Sequence, residues 1–365
     1  MAGPVAPLRI ATGSFAPWRA ACLAASLVCA ALGAGPSTAQ NAAQADAQLF
    51  GAVILNYHRF GENDIPATNI RLEQFDAHLA ALKSGNFTVM TLGAISEALR
   101  TGKPLPDRTV SITIDDGYLS TYTEAWPRLK AAGFPFTLFI STDYIDGRQR
   151  GYMTWDQIRE MVAGGAEIGG HGAAHAHYPE MTQEQMRQDI EKSNRRYQQE
   201  LGKTPTVFAY PFGEMSIQSR DVLRSAGYVA AYGQHSGVAE PGLDMFYQPR
   251  FALNEDFGAQ ARFQQVINAQ PMGARDIAPE DPVLNRTNNP PAFGFTVVEG
   301  VRNIEQINCF ASHEAQPARI ERLGRRIEVR VDTPFPVGRG RFNCTVRGDG
   351  DRWRWFGFQF LVPAR

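Results

Sequence analysis

The sequence predicts an α/β fold, a barrel of parallel strands with helices outside it, followed by a small all-β, sandwich-like domain. From residue 52 to residue 270, short apolar segments alternate with segments of helical periodicity, a pattern typical of a parallel sheet covered by helices. About seven such units in roughly 220 residues favour a closed barrel over a short open sheet. Residues 292–365 then show only strand-like segments with polar turns.

Each barrel strand is predicted where apolar and β-branched residues run together, and each helix where apolar residues recur every three or four positions. Residues 72–85 place four apolar side chains on one helical face and end at a glycine, and Thr154 with Gln157 forms a capping-box pattern at another helix start. In chain order the predicted elements are strand 52–58, helix 72–85, strand 87–91, helix 92–102, strand 109–114, helix 120–133, strand 134–140, helix 154–165, strand 166–170, helix 182–201, strand 206–211, helix 217–227, strand 228–233 and helix 255–270.

The segment after the barrel differs in composition. Residues 271–291 are rich in Pro, Asn and Asp and show no periodicity, so we predict a linker there and a β-rich accessory domain over 292–365. In its last strand Trp353 and Trp355 alternate with arginines. That face either contacts a glycan or packs against the barrel.

The chain of 365 residues begins with a segment typical of export. Two arginines precede a mostly apolar run, residues 20–34, which is shorter than the ~20 residues needed to cross a bilayer. Small residues up to Ala39 suit cleavage there. We therefore predict a signal peptide over 1–39, a flexible lead-in over 40–51 and a periplasmic or secreted protein without an integral membrane span after cleavage. An uncleaved anchor is the alternative.

The cysteines fit the same compartment. Cleavage would remove Cys22 and Cys29 and leave Cys309 and Cys344. Exported proteins usually oxidise such a pair, so we predict a disulfide, with two free buried thiols as the alternative.

The overall composition excludes some partners. A hydrophobic content of 44% predicts a folded core, and a formal net charge of -1 gives no reason to expect nucleic acid as a partner.

Polar residues gather where predicted strands end, which is where barrel enzymes carry their chemistry. His171 and His175 follow one strand, four residues apart, and Asp115 and Asp116 follow another. Two imidazoles and one carboxylate can hold a zinc-type cation and leave coordination positions open. A polar surface loop and an ordinary turn are the plainer alternatives.

The adjacent aspartates need not compete for one ion. Successive strand residues point to opposite sides, so one carboxylate can bind a cation while its neighbour takes a proton from water. Gly117 leaves room for close approach.

These motifs resemble those of the polysaccharide deacetylases of carbohydrate esterase family 4, the NodB-homology domain. The resemblance covers roughly residues 50–255 and lies in "TIDDG" (113–117), "HGAAH" (171–175) and "YPFG" (210–213). It implies a distorted (β/α)7 barrel over 52–270. It also implies that Asp115 is the general base and that Asp116, His171 and His175 bind a divalent metal, most often Zn²⁺, with Co²⁺, Ni²⁺ or Fe²⁺ as alternatives.

Three positions depart from the family pattern. Ala209 stands where the family has an arginine that holds the catalytic aspartate, and we expect Arg250 to supply that charge. Gly172 stands where the family has a hydroxyl residue. The family's late acid histidine is missing, whereas "LNYHRF" places His58 at the end of the first strand. A subgroup that acts on β-1,6-linked poly-N-acetylglucosamine has its acid histidine early, so we predict His58 as general acid.

Three aromatic residues are candidates for substrate contact. Tyr210 and Phe212 lie in the third motif, and the Phe212 N–H is a candidate oxyanion donor. Trp155 is a candidate for stacking on a sugar. Core packing is the alternative for each of them.

The resemblance implies a metal-dependent hydrolase that removes N-acetyl groups from an amino-sugar polysaccharide, with acetate as product. Alternatives are an O-acetyl esterase of the xylan type, hydrolysis of a non-sugar amide, a catalytically impaired glycan-binding protein, and an Fe(II) oxygenase built on two histidines and a carboxylate.

Overall fold

A computed structural model describes residues 49–62 and 64–364 of the protein. The predicted signal peptide and most of the lead-in lie outside the described residues. Within them, no helix combines the length and the apolar character needed to cross a bilayer.

The barrel half of the chain alternates strands and helices as predicted. Its strands are β1 (Ala52–Tyr57), β2 (Arg59–Phe60), β3 (Asn69–Ile70), β4 (Thr88–Val89), β5 (Thr109–Ile114), β6 (Thr137–Ile140), β7 (Glu167–Gly170), β8 (Val207–Ala209), β9 (Ala230–Tyr232) and β10 (Phe251–Ala252). Its helices are α1 (Leu72–Ser84), α2 (Leu92–Thr101), α3 (Trp126–Ala132), α4 (Thr142–Asp146), α5 (Trp155–Ala163), α6 (Gln183–Leu201), α7 (Ile217–Ser225) and α8 (Gln260–Ile267).

The central sheet is parallel and curls into a distorted barrel. Its order is β10-β1-β5-β6-β7-β8-β9, with β4 beside the first half of β5. The two ends approach each other through one segment, because Gln248 bridges to Tyr232 of β9 while Phe251 pairs with Leu55 of β1. The predicted barrel class is confirmed.

Several local features of the barrel differ from the sequence prediction, which did not include the short strands β2, β3 and β10. The predicted helix 120–133 starts with a π-helical turn, Thr121–Ala125, before α3 begins. Helix α4 was missed because its five residues are too few to show a helical period.

The C-terminal half forms two antiparallel sheets, as the all-β prediction requires. Its strands are β11 (Ala274–Ala278), β12 (Phe293–Val297), β13 (Asn308–Ala311), β14 (Arg319–Leu323), β15 (Arg326–Arg330), β16 (Gly338–Arg347) and β17 (Trp353–Val362). One sheet has the order β11-β12-β15-β14 and the other β13-β16-β17. Strand β11 lies within the segment predicted as a linker, and the domain boundaries themselves stay a prediction.

The inner faces of these sheets form an apolar core that continues into the barrel. Phe293 stacks on Phe342 at 4.8 Å between the two sheets. Phe358 contacts Tyr247 of the barrel half at 5.5 Å, and Trp355 packs edge-on against Phe251 of β10 at 5.2 Å. The sandwich therefore rests on the barrel through buried aromatic rings.

The predicted disulfide is present. Cys309 of β13 and Cys344 of β16 lie directly opposite each other in the ladder and are bonded. The bridge joins neighbouring strands of one sheet and closes a separation of 35 residues.

Candidate metal and acid–base site

The carboxyl ends of four barrel strands bring the predicted site residues together. His58 follows β1, the aspartate pair follows β5, His171 follows β7 and the third motif follows β8. Since parallel strands present these ends on one side of a barrel, residues far apart in sequence meet there.

Asp116, His171 and His175 lie together, as expected from the sequence, and form a cluster that could hold a metal ion. The Oδ1 atom of Asp116 lies 3.2 Å from Nε2 of His171 and 3.1 Å from Nε2 of His175. One donor atom from each residue falls within 4.8 Å of the other two. Two imidazole nitrogens and a carboxylate oxygen suit a borderline divalent cation.

The local backbone orients these three side chains toward one another. His171 is fully buried, and its Nδ1 donates to the carbonyl oxygen of Ala209 at 2.7 Å, which fixes the orientation of the ring. Asp116 and His175 have φ values of 75° and 52°, in a region that side-chain residues rarely adopt. Such backbone persists where the surroundings fix it, often at functional sites.

Hydrogen bonds and neighbouring charges shift the pKa values of Asp116 and His171. Burial by itself would raise the pKa of Asp116, but hydrogen bonds from the two imidazoles hold it well below its usual range. For His171, burial opposes protonation, yet the bond to Asp116 and the nearby charge of Asp115 raise the pKa above its ordinary value. The cluster is thus an anionic carboxylate that attracts positive charge.

Asp115 points elsewhere, into a buried ion pair with Arg250. Two guanidinium nitrogens donate to its two oxygens at 2.7 and 2.8 Å, and both side chains are 0% exposed. Asn56 donates a further bond to Oδ2 at 2.8 Å. Burial raises the pKa of Asp115, but the charges of Arg250 and His171 outweigh it and hold the pKa below its usual value.

The carboxylates of Asp115 and Asp116 point in different directions, and the alternation of strand residues explains this only in part. Strand β5 ends at Ile114, so the pair lies just beyond it. The left-handed backbone of Asp116 turns the chain and sends its carboxylate toward the histidines.

Arg250 places a positive charge beside Asp115, a charge that Ala209 does not provide. It immediately precedes β10, which is separated from β5 by one strand, β1, in the sheet. Its Nε donates to the Gly233 carbonyl at 2.9 Å, and its Nη1 also donates to the Thr113 hydroxyl at 3.2 Å. A bidentate guanidinium therefore reaches Asp115 from a different strand than in the family motif.

His58 lies beside the same carboxylate. Its Nε2 is 3.8 Å from Oδ2 of Asp115 and 3.4 Å from the Gln234 amide nitrogen. Its side chain is 13% exposed, so one edge reaches solvent. Burial lowers the pKa of His58, and the charges of Asp116 and Asp115 oppose that decrease.

Gly172 leaves no gap, because neighbouring side chains fill the position. It has φ +71°, and a Cβ there would lie 2.5 Å from the Tyr178 hydroxyl and 2.6 Å from Oδ2 of Asp189. Asp189 in turn accepts from the backbone N–H of Ala173 and Ala174 at 2.9 Å each. The histidine loop is thus fixed by a buried carboxylate.

The three aromatic candidates lie in different environments. Phe212 is half-buried, and its ring centroid is 4.6 Å from that of His175. Tyr210 is fully buried in the core, and Trp155 is 9% exposed with its indole N–H donating to Asp146 at 2.7 Å. Their burial favours the packing alternative for these two residues, and substrate contact stays a prediction for Phe212.

The sequence analysis missed a tyrosine cluster beside the metal ligands. Tyr144 stacks on Tyr152 at 4.8 Å, Tyr152 contacts Tyr118 at 4.8 Å, and the Arg59 guanidinium lies 3.4 Å above the Tyr118 ring. Tyr144 also meets His175 edge-on at 6.4 Å. Only Tyr118, directly after the "DDG" turn, carried a sequence signal that could have found it.

The barrel half of the chain is similar to known proteins. Residues 102–231 match the family model described as polysaccharide deacetylase. A poly-β-1,6-N-acetyl-D-glucosamine N-deacetylase of Escherichia coli (strain K12) is 24% identical over 264 residues, which cover 60% of this chain and 39% of that protein. The Staphylococcus aureus (strain MSSA476) protein of the same name is 24% identical over 232 residues, covering 56% of this chain and 79% of that protein.

A solved structure shares the fold. IcaB from Ammonifex degensii superposes with a TM-score of 0.55 at 25% sequence identity, over 60% of this chain and 98% of that one. The C-terminal sheets lie outside the range that the family model matches.

Proposed function

We propose, from the premise that this chain carries a polysaccharide deacetylase domain, that it is a metal-dependent hydrolase removing N-acetyl groups from an amino-sugar polysaccharide. The observation that carries this proposal is the separation of roles in the aspartate pair. Asp116 joins two histidines, whereas Asp115, paired with Arg250, stays free of that cluster.

The residues present fit a divalent cation. Asp116, His171 and His175 would hold it, and two nitrogens plus one oxygen favour Zn²⁺ with open coordination positions. A bound cation supplies Lewis-acid polarisation of the acetamide carbonyl and eases the ionisation of water.

The remaining steps belong to the protein's own groups. Asp115, ionised because Arg250 and Asn56 donate to it, accepts the proton of the attacking water. The water oxygen bonds to the acetamide carbon and the carbon–nitrogen bond breaks. His58 protonates the departing nitrogen, which gives acetate and a free amino sugar. The Phe212 N–H is proposed to donate to the oxyanion.

We propose poly-β-1,6-N-acetylglucosamine as the first substrate to test, since two relatives are named for that polymer. The tyrosine cluster supports a sugar substrate, because partly exposed aromatic rings suit the apolar faces of pyranoses. Trp353 on the C-terminal sandwich is half-buried, and it is the part of the tryptophan face for which glycan contact stays proposed.

The intact site argues against the impaired-enzyme alternative. Arg250 supplies the charge that Ala209 lacks, and Tyr178 with Asp189 fills the space beside Gly172. An exported location is proposed with this function, and the disulfide fits an oxidising compartment.

Acetate release tests the proposal. The protein is incubated with β-1,6-linked N-acetylglucosamine polymer, chitin oligomers, peptidoglycan and acetylated xylan, with and without chelator. We expect release from at least one N-acetylated polymer, loss with chelator and recovery with zinc. Release from xylan alone would make the enzyme an O-acetyl esterase, and chelator-resistant release would remove the metal mechanism.

His58→Ala separates the acid from the base. We expect kcat to fall by roughly 10²-fold or more while metal content is unchanged. His313→Ala is the control, since His313 lies on the C-terminal sandwich and its Nε2 donates to the Thr333 carbonyl at 2.8 Å. A drop in the control as large as in His58→Ala would remove the assignment of the acid.

A further inference from the structure

The turn Pro211–Gly213 carries the aromatic residue nearest to the metal ligands. Besides its contact with His175, the Phe212 ring stacks on His177 with centroids 3.9 Å apart and planes 3° from parallel. Any displacement of this turn therefore moves a ring that packs on the metal-binding loop.

The backbone of this turn needs outside support. Phe212 has φ 60° and ψ 4°, left-handed values that are costly for a residue with a side chain. Such conformations persist when the surroundings over-determine them.

That support comes from the far end of the chain. Gln359 of β17 donates through Nε2 to the Gly213 carbonyl at 2.9 Å and to the Phe212 carbonyl at 3.4 Å. Arg339 of β16 donates to the same Phe212 carbonyl at 3.2 Å. Three side-chain hydrogen bonds from the C-terminal sandwich thus converge on two consecutive carbonyls of the turn.

Gln359 is itself held in place. It is 1% exposed, and its Oε1 accepts from Nε of Arg341 at 2.9 Å, which fixes the amide so that Nε2 faces the turn. Its backbone carbonyl accepts from the Tyr247 hydroxyl at 2.9 Å. A buried amide oriented this way is a preorganised donor.

The same turn also packs against Gln234, which lies beside His58. A Cβ on Gly213 would lie 2.5 Å from the backbone nitrogen of Gln234, so the two segments are in close contact. The Gln234 side chain lies 3.4 Å from His58. The turn therefore touches residues beside the metal cluster and residues beside the proposed acid.

We propose that Gln359 and Arg339 are positioning residues, through which the C-terminal sandwich holds the Pro211–Gly213 turn in its catalytic geometry. The sandwich is then an integral part of the active site and not an independent appendage. This inference rests on the proposed deacetylase function, of which it names one structural requirement.

The test compares Gln359→Met and Arg339→Met with Arg352→Met in the full chain. Methionine keeps much of the length and removes the donors. Arg352 also joins the sandwich to the barrel, by bonds to Asp107 at 2.9 Å and to the Asn268 carbonyl at 2.7 Å, but it does so at the opposite end of the strands. Acetate release by the wild type is measured first, then kcat, KM, zinc content and hydrogen exchange for each variant.

We expect Gln359→Met to lower kcat by ~10-fold or more, because small misplacements of a catalytic turn are costly. Its zinc content and KM should stay near wild type, and hydrogen exchange should rise in a peptide spanning 210–215. Arg339→Met should show a smaller decrease that Arg339→Lys restores, and Arg352→Met should leave kcat unchanged.

The outcomes separate the two proposals. If the wild type is inactive, the proposed function is wrong. Hydrogen exchange of the turn then tests by itself whether Gln359 and Arg339 hold the turn in place. An active wild type with equal kcat in Gln359→Met and Arg352→Met overturns the positioning role. Equal exchange of the turn in all variants overturns it as well.

Discussion

Arg250→Met removes the guanidinium that pairs with Asp115 and leaves a buried carboxylate without that charge partner. Within the described residues, Asp115 would keep the Asn56 hydrogen bond at 2.8 Å and the weaker contact with His58 at 3.8 Å. Arg250 would also withdraw its bonds to the Gly233 carbonyl and the Thr113 hydroxyl.

The expected loss of unfolding free energy is about 3–5 kcal/mol, the range for breaking one side of a fully buried ion pair. Both partners are 0% exposed, so solvent does not screen the remaining charge. Arg250→Met with Asp115→Asn should recover at least about 2 kcal/mol of that loss, because the second change removes the uncompensated charge.

Urea unfolding followed by tryptophan fluorescence measures both numbers. Arg220→Met is the control, since Arg220 is also largely buried but its partners Asp244 and Glu280 are 29% and 68% exposed. That loss should be about 1 kcal/mol or less. The reasoning fails if Arg250→Met costs no more than the control, or if the double variant is no more stable than Arg250→Met.

Three further predictions follow from the structure. Asp115→Asn should abolish acetate release yet keep bound zinc, whereas Asp116→Asn should lose both acetate release and zinc. Zinc content is measured after dialysis, and equal zinc in the two variants would contradict these roles. Burial lowers the pKa of His78 from its ordinary 6.5 to about 4. The unfolded state therefore binds a proton at higher pH than the folded state does, and the free energy of unfolding should fall by roughly 3 kcal/mol as pH drops from 6.5 to 4. In melting experiments over this pH range His78→Phe should flatten the slope, and an unchanged slope would exclude His78 as its source. Replacing Cys309 and Cys344 by serine opens a loop of 35 residues. The free energy of unfolding should fall by about 4 kcal/mol on the chain-entropy model. Melting of the oxidised and the reduced wild type checks this value independently.

The sequence allowed the cluster of Asp116, His171 and His175 to be predicted because its residues lie in short motifs at strand ends. The spacing of His171 and His175 and the pairing of Asp115 with Asp116 survive in the linear order of the chain. Strand alternation with helices was equally visible, since apolar periodicity is a local property. What is local in sequence could be derived from it.

Contacts between distant segments were harder to anticipate. Arg250 was expected near Asp115 because a charge was missing at Ala209, yet no pattern showed that it immediately precedes the strand that closes the barrel. The tyrosine cluster joins the turn after β5 to helix α4 and the loop that follows it, and Gln359 lies 146 residues beyond the carbonyl it supports. Such contacts depend on tertiary packing, which residue spacing alone does not encode.

Closure of the barrel and formation of the Asp115–Arg250 ion pair depend on the same strand pairing. Strand β10 pairs with β1 across almost 200 residues of chain, and Arg250 enters the site only with that pairing. Pairings of such long sequence separation tend to form late in folding. Catalytic competence should therefore appear after most secondary structure during refolding, so the onset of turnover would report when the two ends of the sheet have met.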